Sequence, residues 1–426
     1  MKAKNNSVTK WGILILLPIA VILGVLVAMP ITVSAADQTV TIIQTDTVAQ
    51  VSDKIITAIN NTGGSGTVTV NGSKNNANAS LSLSIPSGVT VIWNANYAGD
   101  VGGSYLITFE GNGTFEMASG SIQSNGYSYA VYSYGITLKV SGGTISSEYD
   151  VAIYSDDSTI NISGGMISSG MISIGNPTIY LVDSTLTVSN GTISSENGNA
   201  IVSINSTVNI SGGMVISVNG YYAIYSEDST LTINGGTIMA SGEDGVAIRL
   251  EDSTLTISGG TISTTCPYGT IFAYDYKINI SGGFVFAYGT TITSTNTYGG
   301  AIYLNGSSTP APTIGGNAVI CVWNQAAGTT TYSEGTSTDL VTNTGASVTW
   351  AKSGSQDGIS YANATNSGFF PISGIVVNAY MAPTTYTDDA KQNNMIWLWG
   401  GLGVLAVLAI GGGSAFIVTK NRKKVL

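Results

Sequence analysis

A ten-residue phrase, Ser229-Thr-Leu-Thr-Ile-Asn-Gly-Gly-Thr-Ile238, returns several times along this chain in near copies. Three of the copies begin at Ser158, Ser184 and Ser253. A phrase this short cannot enclose a core, so each copy must pack against its neighbours, which is typical of a solenoid. The repeat therefore predicts stacked coils rather than a single globular core.

The repeat has a period close to 23 residues. The second residue of each Gly-Gly or Asn-Gly pair marks it, and successive marks are 22, 26, 22, 23, 24 and 23 residues apart. We expect a bulging loop at 171–177, where the long step falls. Each period holds three runs in which apolar residues alternate with Ser or Thr, a pattern typical of strands with one buried face. Three strands and three turns predict a triangular coil, stacked into parallel sheets. The marks are Gly143, Gly165, Gly191, Gly213, Gly236, Gly260 and Gly283.

Charge is scarce and unevenly placed. Charged residues make up 9% of the chain, the formal net charge is −10 and histidine is absent. Residues 37–394 hold seven basic and 24 acidic residues, a net charge of −17. Such a surface repels nucleic acid and anionic lipid, so no nucleic-acid partner is expected. The absence of histidine removes the commonest general base and metal ligand.

Both ends of the chain carry membrane-targeting signals. Residues 1–36 pass from lysines through an apolar run to Val33-Ser-Ala35, which predicts a signal peptide; cleavage and retention as an anchor both stay open. Residues 395–419 are 25 residues without a charge, long enough for a transmembrane helix, and 420–426 form a basic cytoplasmic tail. The sequence predicts a single-pass cell-surface protein with an exterior ectodomain, held to the membrane by its C-terminal helix.

The exterior part divides into four stretches. Residues 37–100 are expected to form an N-terminal cap with the first strands, and 101–330 the β-helix repeats. Residues 331–380 are expected to be a C-terminal cap, and 381–394 a stalk. A short helix over 48–60, with Thr47 or Asp46 as N-cap, would cover the open end of the solenoid. Its apolar face is predicted from Val48, Val51, Ile55, Ile56 and Ile59.

Repeats such as Leu231-Thr-Ile-Asn-Gly-Gly-Thr-Ile238 behind a helix-capped start resemble the pectate-lyase-like superfamily of right-handed parallel β-helices. More narrowly, they resemble cell-surface, adhesin-like Gly-Gly-repeat proteins of bacteria and archaea. The resemblance covers roughly residues 40–330 and implies an all-β, right-handed parallel β-helix. It does not select one function, because that superfamily includes lyases, hydrolases and non-enzymatic surface rods.

Aligning the coils reveals an aromatic column. The preceding residue is apolar in every coil, so pleating is expected to place the column on the outer face. Two interpretations follow: a ladder that stabilises its own sheet by stacking, or a flat platform that binds carbohydrate rings. Arg249 and Val202 fill the two coils that lack an aromatic residue, and Arg249 is counted with the aromatic residues as a candidate carbohydrate-binding residue. The aromatic members are Tyr132, Tyr154, Tyr180, Tyr225 and Phe272.

A second column is polar and opens an Asp-Ser-Thr turn in most coils. One interpretation is an Asx-type turn, in which the carboxylate accepts the following backbone N–H groups. The other is Ca²⁺ held between stacked carboxylates, although the spacing lacks the GGxGxDxUx pattern. No other cofactor is expected. The members are Asp157, Asp183, Asn205, Asp228, Asp252 and Asp275.

The chain's chemistry points first to a non-catalytic adhesin-like or envelope protein that contacts glycans or other cell surfaces. The alternative is a surface polysaccharide lyase or glycoside hydrolase, for which Arg249 beside Glu251 and Asp252 is the one candidate cluster. The acids recur in every coil, as turn residues should, which speaks against catalysis. Cys266 and Cys321 form either one disulfide or two free thiols. Eleven Asn-x-Ser/Thr sequons in the predicted exterior part would allow glycosylation in a host with the machinery.

Overall fold

The computed structural model describes residues 37–170, 176–241, 245–264, 269–287 and 301–305, with shorter pieces between 313 and 371. Within these ranges there is no helix that could span a membrane. The signal peptide predicted at 1–36 and the stalk, transmembrane helix and tail predicted over 381–426 lie outside the described residues. So does the core of the predicted bulging loop, residues 171–175.

The described chain is a parallel β-solenoid of the right-handed type, with about nine turns of about 23 residues. The predicted coil of three strands is confirmed: one strand joins an 11-stranded sheet, and the other two join a 20-stranded sheet. A third, antiparallel sheet has three strands. All these counts refer to the described residues.

The strands of the 11-stranded sheet, called sheet B, are β3 (Leu81–Ile85), β6 (Tyr105–Gly111), β9 (Tyr129–Tyr134), β12 (Ile153–Asp156), β15 (Pro177–Val182), β18 (Asn199–Ile204), β21 (Tyr222–Glu227), β23 (Val246–Glu251), β25 (Ile271–Tyr274), β27 (Ile302–Asn305) and β30 (Val341–Asn343). The strands of the 20-stranded sheet, called sheet A, are β1 (Gln38–Ile42), β2 (Gly66–Ala77), β4 (Val89–Trp93), β5 (Asn96–Gly99), β7 (Thr114–Met117), β8 (Ser121–Ser124), β10 (Thr137–Val140), β11 (Thr144–Ser147), β13 (Thr159–Ile162), β14 (Met166–Ser169), β16 (Thr185–Val188), β17 (Thr192–Ser195), β19 (Thr207–Ile210), β20 (Met214–Ser217), β22 (Thr230–Ala240), β24 (Thr254–Thr264), β26 (Lys277–Ala287), β28 (Thr313–Ile314), β29 (Val319–Val322) and β31 (Thr349–Trp350). The third sheet contains β32 (Gly354–Gln356), β33 (Ile359–Ala362) and β34 (Phe370–Pro371).

The core consists of apolar side chains that point inward from the equivalent strand position of each successive coil. In β16, Leu186 and Val188 are fully buried, whereas the two threonines between and before them are only partly buried. Leu186 pairs in register with Ile160 of the preceding coil and Val208 of the following one. Burying a side chain of this size contributes about 1.5–3 kcal/mol. The alternation read from the sequence therefore builds the core one layer at a time.

The glycine pair makes the corner between the two strands that each coil contributes to sheet A. A Cβ atom on Gly235 would lie 2.3 Å from the carbonyl oxygen of Ser211 in the preceding coil. Gly236 has φ +80°, a conformation that L side chains rarely adopt. In β22, β24 and β26 the chain passes this corner within one 11-residue strand, and the pairing between these strands shifts register there.

A helix, α1 (Val48–Asn61), packs against β1, β2 and β3 at the start of the solenoid. Thr47 is the N-cap and forms a capping box with Gln50, which confirms one of the two predicted caps. The apolar face is as predicted except at Ile56, which is 39% exposed, and its place in the face is taken by Ala58. Strand β1 was not predicted, although its sequence alternates as the other strands do.

Candidate functional site

Strand pairing in sheet B places the aromatic column in register. Tyr154 pairs with Tyr132 and Tyr180, and Arg249 pairs with Tyr225 and Phe272. Val202 pairs with Tyr180 on one side and Tyr225 on the other, so it interrupts the column. The preceding residue in each strand is fully buried, as the outward placement of the column requires.

The rings lie over one another along the solenoid axis. Ring centroids are 5.6 Å apart for Tyr132 and Tyr154, and 5.0 Å apart for Tyr154 and Tyr180, close to the spacing of neighbouring strands. The ring planes are inclined to each other by 43° and 54°, so each ring contacts the next one at an angle. Such pairs stabilise a protein by about 0.5–1.5 kcal/mol beyond their buried area. This geometry favours the ladder interpretation, while carbohydrate binding by the column stays a prediction.

Several tyrosines that belong to this surface were missed from the sequence. Tyr105 stacks on Tyr132 with centroids 4.6 Å apart and an interplanar angle of 26°, and Tyr129 contacts both Tyr105 and Tyr154. Tyr222 stacks on Tyr225 at 5.9 Å. Tyr105, Tyr129 and Tyr222 all stand three residues before the column position. Aligning that second position across the coils would have found them.

Arg249 sits in a cage of aromatic rings. Its guanidinium carbon lies 5.3–5.9 Å from the ring centroids of Tyr222, Tyr225, Phe272 and Tyr274. Cation–π contacts of this kind are worth about 0.5–2 kcal/mol each. The cage fixes the cation against the sheet and limits its approach to a ligand.

The guanidinium nitrogens of Arg249 also have hydrogen-bond partners. Arg249 Nη1 donates to the Tyr222 hydroxyl at 2.8 Å, and both Nε, at 2.9 Å, and Nη2 donate to Glu251 Oε1. The predicted pairing with Glu251 is therefore present. Asp252 is exposed and has no hydrogen bond or ion pair with Arg249 in the described part of the chain. The guanidinium of Arg249 is thus paired with Glu251 and Tyr222 in this structure.

Glu251 also accepts a hydrogen bond from Tyr225. The Tyr225 hydroxyl lies 2.8 Å from Glu251 Oε2 and 3.0 Å from Glu227 Oε2, so its one proton is shared between two carboxylates. Burial and these two carboxylates raise the pKa of Tyr225 above its ordinary value. Burial works against ionisation of Glu251, but hydrogen bonds from Arg249 and Tyr225 outweigh it and lower the pKa of Glu251.

The polar column occupies a backbone position with positive φ. All six members have φ between 44° and 50°, and all are exposed. Asn and Asp tolerate this left-handed conformation better than other residues with a Cβ atom, which explains their recurrence. The members are Asp157, Asp183, Asn205, Asp228, Asp252 and Asp275.

The predicted role of the carboxylate in this turn is wrong, because the serine that follows satisfies the backbone instead. The N–H of Ser158 donates to Ser184 Oγ, and the N–H of Ser184 donates to Ser206 Oγ, each one coil further on. The next N–H, that of Thr159, donates to the Ile136 carbonyl. The left-handed backbone therefore selects Asp or Asn, while a buried serine ladder makes the hydrogen bonds.

Two predicted sites remain, the Ca²⁺ site of the polar column and the disulfide. No cluster of three or more His, Cys, Asp or Glu residues that could hold a metal ion occurs among the described residues. Ca²⁺ binding by the polar column stays a prediction. Cys266 lies outside the described residues, so the disulfide with Cys321 also stays a prediction.

A groove of about 690 Å³ crosses the second strand series of sheet A. Its rim carries Glu148 and Glu196, which follow β11 and β17, with Gly170 at the matching position of the coil between. These carboxylates stand two coil steps apart, about 10 Å by strand spacing. The two glutamates could have been found from the sequence, because the tetrapeptide Ile-Ser-Ser-Glu occurs twice and ends at Glu148 and at Glu196. The floor includes Ser146, Ser168 and Ser194.

No protein-family model, curated protein or solved structure matches this chain. Of what the resemblance to pectate-lyase-like β-helices implies, the structure supports the parallel β-solenoid fold.

Proposed function

We propose that this protein is a membrane-anchored, non-catalytic cell-surface rod with an adhesin-like or envelope role, which contacts extracellular glycans or the surfaces of other cells. The basic-apolar N-terminus and the 25-residue uncharged run at 395–419 support export and anchoring. The solenoid and its Gly-Gly corners support kinship with the pectate-lyase-like β-helices and, within them, the adhesin-like repeat proteins.

The observation that best supports a non-catalytic role is that the side chain of Arg249 is already engaged in contacts within the protein. The repeat region offers only Lys139, Arg249 and Lys277 as cations. The one of these that stands beside acids is held by Glu251, Tyr222 and four aromatic rings. A lyase needs a base that is free to approach its substrate. The cluster that would have served an enzyme instead stabilises sheet B.

A glycoside hydrolase is the second candidate, and the groove is the observation that favours it. Inverting enzymes hold two carboxyl groups about 6.5–9.5 Å apart, and Glu148 and Glu196 are separated by about 10 Å of coil stacking. Against catalysis, both side chains are exposed, whereas a general acid is usually shielded from water so that it keeps its proton.

Two measurements test the proposal. Full-length protein should stay with the membrane fraction after high-salt and carbonate washing and leave it only in detergent; release by salt alone would remove the anchor. The purified full-length protein should release no reducing sugar from neutral or acidic polysaccharides, with or without Ca²⁺. Turnover abolished by Glu148→Gln or Arg249→Ala would establish an enzyme instead.

Carbohydrate retention by the aromatic column has its own test. If the column is a platform, Tyr154→Ala, Tyr180→Ala and Tyr225→Ala should each weaken retention on glycan without unfolding the protein. If it is a ladder, as the ring stacking favours, the same changes should lower the unfolding temperature and leave retention unchanged.

A further inference from the structure

The groove over sheet A has the shape of a site for an extended chain. Its lining runs from Gln123 in β8 to Val218 and Asn219 after β20, and so spans five successive coils. Four coil steps correspond to about 19 Å along the solenoid. Gly170 leaves the rim open between Glu148 and Glu196, because the middle coil has no side chain there. The groove therefore suits a linear ligand that lies along the axis.

The lining matches a ligand rich in hydroxyl groups. Serine hydroxyls, the amides of Gln123 and Asn219 and two carboxylates supply both donors and acceptors. The lining contains no lysine or arginine, and residues 37–394 carry a net charge of −17. An anionic polymer would be repelled at this surface, while an uncharged one would not.

An exposed aromatic pair adjoins the groove. The Tyr127 and Tyr149 rings are stacked, with centroids 4.9 Å apart and an interplanar angle of 26°. Tyr127 is 71% exposed, so the ring face turned away from Tyr149 is open to solvent. Tyr149 follows Glu148 directly in the chain, which places the pair at the groove rim, and the neighbouring Glu148 carboxylate raises the pKa of Tyr149. Open aromatic faces pack against the apolar C–H faces of sugar rings. In the aromatic column of sheet B, by contrast, Tyr154 contacts the ring of a neighbouring coil on both sides.

We propose that this groove, together with the Tyr127–Tyr149 pair, binds an uncharged polysaccharide chain. The inference rests on the proposed function and deepens it, since it assigns the class of glycan and moves the contact surface away from the aromatic column. It also predicts that the groove does not bind acidic polymers such as polygalacturonate.

Affinity electrophoresis of the full-length protein in detergent tests the proposal. The gels contain an uncharged polymer, either laminarin or galactomannan, or an anionic one, either polygalacturonate or alginate. Wild-type protein should be retarded by at least one uncharged polymer and by neither anionic one. Tyr127→Ala should weaken retardation about 5- to 10-fold. Ser168→Trp, which fills the groove floor, should abolish it. The control Tyr134→Ala removes a tyrosine that is 47% exposed on sheet B and should change nothing.

A charge reversal keeps the test decisive if Ser168→Trp does not fold. Glu148→Lys combined with Glu196→Lys should give new retardation by polygalacturonate and leave the circular dichroism spectrum unchanged. Retardation by anionic polymers alone in the wild type would overturn the groove assignment. So would retention on neutral glycan that survives the groove variants but is lost in Tyr154→Ala; in that case the proposed function stands. No retention on any polymer would remove glycan contact from the proposed function as well.

Discussion

The backbone N–H of Ser158 donates a hydrogen bond to the side-chain oxygen of Ser184, one coil further along, at 3.1 Å. The Ser184 hydroxyl in turn donates to the carbonyl of Val182 in its own coil at 2.7 Å. Both serines are buried. The same arrangement continues through Ser206, Ser229 and Ser253. A single hydroxyl per coil therefore closes the turn after sheet B and connects that turn to its neighbour.

Ser184→Ala should destabilise the solenoid because it leaves the buried N–H of Ser158 without an acceptor. An unsatisfied buried donor costs about 1–3 kcal/mol. The midpoint of thermal unfolding, followed by circular dichroism, should fall clearly. The neighbouring Thr185→Ala removes a hydroxyl that is partly exposed and should cost about 0.5 kcal/mol or less. Equal losses in the two variants would show that the serine ladder contributes nothing specific.

Substitutions at Asp228 separate a backbone requirement from a calcium site. Its φ of 48° is tolerated by Asp and Asn but strained for a β-branched residue. Asp228→Asn should leave stability unchanged, whereas Asp228→Val should cost about 1–2 kcal/mol, the strain of a left-handed residue. Unfolding midpoints in urea would measure both.

Calcium provides the matching control for Asp228. If backbone conformation selects this residue, the unfolding midpoint of the wild type should be the same in CaCl₂ and in EDTA. A Ca²⁺-dependent rise in the midpoint that disappears in Asp228→Asn would show that the polar column binds the cation.

The coil itself was predictable because its determinants are local and repeated. Period-two alternation, glycine at Gly236 and the Thr47 cap each act within a few residues of sequence. The polar column was found for the same reason, but the hydrogen-bonding role predicted for its carboxylates was wrong. The pairing of Ser158 with Ser184 runs between coils, and sequence alignment shows only that both are serine.

The candidate sites depend on residues that break the repeat, which alignment of repeats hides. Arg249 enters its cage because Tyr222 and Tyr274 reach it from flanking positions of two neighbouring strands. The groove is open because Gly170 stands where Glu148 and Glu196 stand one coil away on either side. Such exceptions show their effect only when the side chains of several coils are placed together.

The Arg249–Glu251 pair should make stability depend on acid pH. The pKa of Glu251 is lower in the folded chain than its ordinary value, so the folded state favours the charged form. Its contribution is present above the pKa of the unfolded chain, about 4.3, and is lost as pH falls through the lower folded pKa. The unfolding temperature of Glu251→Gln should lie below that of the wild type at pH 7, and the gap should narrow as pH falls below about 4.3.

Glu110→Gln is the matched control for Glu251→Gln, since Glu110 occupies the same strand position in β6 and is exposed. Its unfolding temperature should follow the wild type at every pH. A gap between Glu251→Gln and wild type that stays constant from pH 7 to pH 3 would contradict a role for the charge and indicate a loss of packing alone.

Tyr97→Phe should stabilise the protein. Tyr97 is fully buried, and its hydroxyl has no hydrogen-bond partner among the described residues. Burial raises the pKa of this phenol well above its ordinary value, as expected for a site that does not tolerate charge. The ring meets Trp93 edge to face at 6.0 Å, a contact that Phe keeps. Removing a buried hydroxyl without a partner should therefore gain about 1 kcal/mol.

Tyr225→Phe is the control for the claim that the Tyr97 hydroxyl has no partner. It removes a hydroxyl that donates to Glu227 and Glu251. Both variants lose one hydroxyl oxygen, but Tyr225 is only partly buried, so its loss relieves less desolvation than the loss at Tyr97. Tyr225 also loses hydrogen bonds to charged acceptors, worth about 1.5–3 kcal/mol. The unfolding midpoint should rise for Tyr97→Phe and fall for Tyr225→Phe. A fall in both would mean that the Tyr97 hydroxyl has an acceptor in solution, such as a buried water, and that the interior beneath Trp93 is not dry.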